Sequence, residues 1–131
     1  TITSAVLSVY KFTYYNYQYD LRPVLVPWSE SDVTWAQSSP GTAWSGPGAN
    51  GIGTDIAADA DASASAGWAP GWVDFELTDA VQAIADGAVP NHGWRLFPVT
   101  GNNNYKRYRS SEYLGDPGLR PKLVITYTLG D

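Results

Sequence analysis

The chain has 131 residues, with 8 Lys and Arg against 13 Asp and Glu, a formal net charge of −5, and neither Cys nor Met. Thiol nucleophiles, redox pairs, disulfides and Cys-ligated metals are excluded, and the acidic balance argues against a nucleic-acid partner, whose phosphates call for a basic surface. No apolar run approaches the ~20 residues of a bilayer-spanning helix, so no membrane insertion is expected. One domain, residues 1–131, is large enough to bury its own core. The absence of Met marks the sequence as a matured form or a piece of a longer protein, with export as the expectation.

In chain order, residues 5–12 read as a strand, with Ala5, Leu7 and Val9 on one face and Val6, Ser8, Tyr10 and Phe12 on the other. Period-2 spacing continues through Tyr15, Tyr17, Tyr19 and Leu21, a tyrosine ladder on one strand face. Pro23 and Pro27 leave room between them only for a short edge strand. Residues 36–71, rich in Gly, Ala and Ser, predict a long loop. Within it Ala58, Ala60, Ala62, Ala64 and Ala66 alternate with Asp59, Asp61, Ser63 and Ser65, which favours an ordered, extended segment.

The clearest strand follows, with Val73, Phe75 and Leu77 inward and Trp72, Asp74 and Glu76 outward. Thr78 or Asp79 is placed to N-cap a short helix carrying Val81, Ile84 and Ala85, which Gly87 ends. A turn at 90–93 leads to a strand at 94–99, and 101–104 reads as a hairpin connection into a strand at 105–111. The last strand covers 123–127, with Leu123, Ile125 and Tyr127 expected in the core. Strands separated by turns predict an all-β, antiparallel β-sandwich with one short helix.

No catalytic constellation emerges, and the chain is not expected to be an enzyme. Asp74 and Glu76 lie about 6–7 Å apart by strand rise, within the range of paired glycosidase carboxylates, but alternation places such residues on the wet face of any half-exposed sheet. His92 is the single histidine, and no Gly-x-Ser-x-Gly elbow accompanies it. Asp55, Asp59 and Asp61 offer hard oxygens of the kind Ca²⁺ prefers. Ala64 and Pro70 replace the Gly and Glu that an EF-hand requires, so the metal candidate is a looser, structural calcium loop. Its alternative is a solvated acidic loop.

The aromatic residues, 6 Trp and 9 Tyr against 3 Phe, carry the most information. Tyr15, Tyr17 and Tyr19 on one strand face, with Trp44, Trp68 and Trp72 in or beside the long loop, can form a platform on which sugar rings stack. The same residues can instead fill a small core, and for Tyr15, Tyr17 and Tyr19 the two readings stand level. Trp28, Trp35 and Trp94 are expected inside.

Several motifs fall in a recognisable order. The run from Ile2 to Tyr10 is followed by Trp28-Ser29-Glu30, Val33-Thr34-Trp35, Gly41-Thr42-Ala43-Trp44 and Gly53-Thr54-Asp55. Val73-Asp74-Phe75-Glu76-Leu77-Thr78, Asn91-His92-Gly93-Trp94, Ser110-Ser111-Glu112 and Arg120-Pro121-Lys122-Leu123-Val124-Ile125-Thr126-Tyr127 complete the series. Together these resemble the DNRLRE-type, disaggregatase-related domain over nearly the whole chain. The resemblance implies a jelly-roll-like sandwich of secreted and cell-surface proteins that serves as a non-catalytic carbohydrate-binding module, and in some cases as a phage structural protein. A glycan partner is the resulting expectation; no binding residue is carried over from the family, and the aromatic pattern places the contacts at Tyr15, Tyr17, Tyr19, Trp44 and Trp72. The alternative is a structural subunit of a filament, fibre or virion.

Members of that family carry further strands ahead of the segment that opens this sequence. The expectation is a sandwich edge left bare beside residues 5–12 and covered by strand pairing with a terminal segment of another copy or with a partner strand.

Overall fold

The computed structural model describes residues 1–100 and 106–130. Its strands are β1 (Ile2–Lys11), β2 (Tyr17–Pro23), β3 (Gln37–Ser39), β4 (Thr42–Ala43), β5 (Ala62–Ala66), β6 (Gly71–Glu76), β7 (Trp94–Thr100) and β8 (Lys122–Tyr127). One α-helix, α1 (Thr78–Ala85), and a 3₁₀ turn at Pro117–Leu119 accompany them. The fold is all-β and sandwich-like. One antiparallel sheet has the order β6-β1-β8, a second β5-β2-β7, and β3 and β4 form a small ribbon.

The core lies between the two larger sheets because each presents one apolar face. Ala5, Val73 and Phe75 from the first sheet meet Tyr19, Leu21 and Ala66 from the second, and Leu77 and Val81 close the end. In β6 the alternation comes out as the sequence dictates, with Val73 and Phe75 buried and Asp74 and Glu76 exposed. The alternating Ala and Ser of β5 likewise form a true strand paired with β2, from Tyr17 opposite Ala66 to Leu21 opposite Ala62. Small side chains suit it, since β5 also lies close against β6.

Helix α1 begins where expected, but no side chain caps it. Thr78 is engaged elsewhere: its hydroxyl donates to the Glu76 carboxylate and accepts the Ala5 N–H at 3.0 Å. Glu76 takes the Thr78 N–H at 3.1 Å. The helix start is thereby fastened to β1, while the Glu76 carboxylate, rather than Thr78 or Asp79, takes the first helical N–H. Gly87, at φ 73°, ends the helix as predicted.

Three further expectations are corrected. Strand β1 is central, paired with β6 from Val6 to Lys11 and with β8 from Ile2 to Ser8, so no bare edge runs beside it. Residues 106–111 form no strand; segment 107–109 is held to the end of β1 by Arg109 N–H to Tyr10 C=O and Phe12 N–H to Arg107 C=O, both 3.0 Å. The predicted hairpin at 101–104 and Tyr105 lie outside the described residues. Residues 24–26 form no strand, only an isolated bridge from Val24 to Ile56.

The largest correction concerns β8. Leu123, Ile125 and Tyr127 are 42%, 40% and 61% exposed rather than buried. Cross-strand pairing of Leu123 with Leu7 and Ile125 with Ala5 puts them on the core-facing side, but β8 is an edge strand and none of the three joins the core cluster. At the far end of β1, Lys11 is 1% exposed, its ammonium donating to the Tyr15 carbonyl at 2.6 Å and to the Gly67 carbonyl. Burial, and secondarily the charge of Lys106, push its pKa below the ordinary lysine value.

Candidate functional site: an indole-lined groove

A second, smaller core holds the loops between β2 and β5: Val24, Trp44, Ala49 and Ile56. Its organiser is Asp55, 2% exposed, whose carboxylate accepts the backbone N–H of Ser45 at 2.9 Å, Gly46 at 2.8 Å and Gly51 at 2.9 Å. Burial works to raise the Asp55 pKa, but the three backbone donors prevail and hold it below the usual carboxylate value. A Cβ at Gly51 would fall 2.4 Å from Thr54 Oγ1 and 2.7 Å from Asp55 Oδ2, so the loop can close around the carboxylate only with glycine there.

This closed loop forms one wall of a groove of about 400 Å³, lined by Trp28, Trp35, Trp44 and Trp94 with Val33 and Arg95. Hydrogen bonds fix three of the indoles: Trp44 Nε1 to Thr34 C=O at 3.0 Å, Trp28 Nε1 to His92 C=O at 2.6 Å, and Trp94 Nε1 to Asp61 Oδ2 at 2.7 Å. Trp35 is set by backbone. Thr34 Oγ1 accepts the Ala36 and Gln37 N–H groups, turning the chain sharply, and the Trp35 C=O takes the Gly48 N–H at 2.6 Å. The Trp35 ring lies against Gly48, where a Cβ would come within 2.4 Å of it, and the φ of +79° there also favours glycine.

Trp35 is 69% exposed and Trp28 41%, which corrects the expectation of both as core residues; Trp94 is half-buried against the main core. Arg95, opposite Arg22 in the β2–β7 register, supplies the charge in the groove. Both guanidiniums sit over Phe97, at 4.4 Å for Arg22 and 5.2 Å for Arg95. Arg22 is engaged by Asp20 at 3.5 Å and by the Ala58 carbonyl at 3.0 Å. Arg95 Nη1 is buried without a hydrogen-bond partner among the described residues. Burial first, then the Arg22 charge, pushes its pKa below the ordinary arginine value.

The residues singled out in the sequence are not gathered on one surface. Tyr19 is 5% exposed in the main core, its ring tilted at 34° against Tyr17 at 4.9 Å and edge-on to Tyr108 at 5.8 Å, and burial raises its pKa. Tyr15 leaves the strand at φ 85°, which breaks the ladder, and meets the exposed Trp68 edge-on. Trp72 lies on the outer face of the first sheet against Tyr10, with Lys122 over its ring at 4.6 Å. Only Trp44 lines the indole groove. The three aspartates also part company: Asp55 is enclosed by its own loop, Asp61 orients Trp94, and Asp59 is exposed. Among the described residues, no group of three or more His, Cys, Asp or Glu side chains is placed to hold a metal.

Trp28 and Trp35 could have been suspected from composition. Trp28 directly precedes the polar run Ser29-Glu30-Ser31-Asp32, and Trp35 follows it after Val33 and Thr34; such a run seldom packs inside a core. The chain matches no model of a known protein family, no curated protein and no solved structure.

Proposed function

We propose that the protein is a non-catalytic carbohydrate-binding domain of an extracellular or cell-surface protein, and that its glycan contacts lie in the Trp28/Trp35/Trp44/Trp94 groove. The observation that carries this reading is the pair of exposed indoles, Trp28 and Trp35, held by backbone and hydrogen bonds in one groove. Fixed aromatic faces stack on the axial C–H faces of sugar rings at little ordering cost. The order of motifs that resembles DNRLRE-type domains supports the same function. A structural role through assembly of copies is the second reading, and the exposed apolar strand β8 is the observation that favours it.

Calorimetric titration against a broad panel of polysaccharides tests the proposal. Heat is expected with at least one glycan, and Trp35→Ala should weaken that binding at least about tenfold while the circular dichroism spectrum stays unchanged. Absence of heat across the panel, or binding indifferent to Trp35→Ala, counts against the groove.

A further inference from the structure

We infer that β8 is a self-pairing edge through which two copies of this chain join about a two-fold axis. The four outer strands of the two larger sheets differ in how they are protected. Strand β6 carries Asp74 and Glu76, β7 carries Arg95 and Pro98, and β5 is built from Ala and Ser alone. Charge, proline and the lack of side chains worth burying are the ordinary defences of a sheet edge. Strand β8 has such a guard only at its first residue, Lys122; from there on, Leu123, Val124, Ile125 and Tyr127, with Leu129 just beyond the strand, are 42%, 54%, 40%, 61% and 85% exposed.

Backbone geometry specifies how a second copy would fit. The Thr128 N–H donates to the Thr1 carbonyl at 2.8 Å, so residue 128 and its alternates face β1. Alternation then turns the N–H and C=O of Leu123, Ile125 and Tyr127 toward the free edge. An antiparallel partner centred on Ile125 pairs Ile125 with its own counterpart and Leu123 with Tyr127 of the other copy, in both directions. Every outward group thus meets an outward group, and the cross-strand neighbours are aliphatic–aliphatic and aliphatic–aromatic on one face. Charge permits the register as well: Lys122 falls opposite Thr128, and no like charges oppose. A register shifted toward the chain start would bring Pro121, which has no N–H, into an outward-bonding position. The contact is isologous and closes at two copies, joining the two β6-β1-β8 sheets into one.

The full chain, examined by sedimentation velocity from roughly 1 μM to 1 mM, should show a monomer–dimer equilibrium. Ile125→Lys, which sets two ammonium groups opposite each other, should raise the dimer Kd at least about tenfold with an unchanged circular dichroism spectrum. Trp35→Ala, in the indole groove, should leave it unchanged, so failure of the groove and failure of the dimer are separable. Because the chain has no Cys, Ile125→Cys treated with a short bismaleimide should give a covalent dimer and Leu25→Cys should not. That arm stands even if the Lys variant does not fold. A monomer throughout, a dimer indifferent to Ile125→Lys, equal cross-linking through Leu25→Cys, or an open-ended polymer would each overturn the proposal.

Discussion

Strands β6 and β8 flank the same central strand, and their sequences are equally suited to a sheet, yet they meet different fates. Phe75 and Ile125 both share the core-facing side of β1, paired with Leu7 and Ala5 respectively. Phe75 is fully buried while Ile125 is 40% exposed. The second sheet covers the β6 side, where β5 lies close against β6, whereas Leu123, Ile125 and Tyr127 of β8 stay outside the core cluster. Alternation of apolar residues therefore reveals which face of a strand is apolar, and only the layer across from it decides how much water that face loses.

Substitutions sharpen this comparison, beginning with the largest effect. Phe75→Ala should cost about 3–5 kcal/mol in chemical denaturation, since it empties a closed site. Asp55→Ala comes next at about 3 kcal/mol, because it strands three buried backbone donors around the indole groove. A related pH dependence follows from the same carboxylate. Its pKa is lowered on folding from an ordinary 3.8, so its stabilisation is complete above the unfolded value and is lost as the pH falls below about 4 and through the folded value. Thermal melts of the native chain should show that acid loss, and those of Asp55→Ala should show less of it. Gly48→Ala should cost about 1–2 kcal/mol, through the positive φ and the displaced Trp35 ring, with a shift in tryptophan emission as the second readout. Ile125→Ala, measured at concentrations low enough for monomer, should cost only about 1 kcal/mol. An Ile125→Ala loss as large as that of Phe75→Ala would mean that both flanks of β1 are equally covered.

Strand β6, the Ala–Ser strand and α1 were legible in the sequence because their signals are local: strict alternation at 72–77, the 62–66 repeat, and the Val81/Ile84 spacing ended by Gly87. The exposure of β8 was not, since it depends on residues far away in the chain. The tyrosine ladder failed at one residue, because a positive φ at Tyr15 takes it out of the strand that Tyr17 and Tyr19 continue. The groove was half legible: Trp44 was singled out, whereas Trp28 and Trp35 looked like core residues because an indole is equally at home buried or as a binding face. Nothing in the spacing of Asp55 announced that its three partners would be backbone amides of its own loop.

The buried ammonium of Lys11 has a kinetic consequence. Clasped by the carbonyls of Tyr15 and Gly67, it is shielded from amine-acylating reagents as long as the end of β1 stays closed. Acylation at Lys11 must wait for that end to part, so its rate under excess reagent, resolved by peptide mass spectrometry, becomes a clock for local opening at one site of the native protein. Lys122, on the exposed strand β8, provides the fast reference in the same molecule.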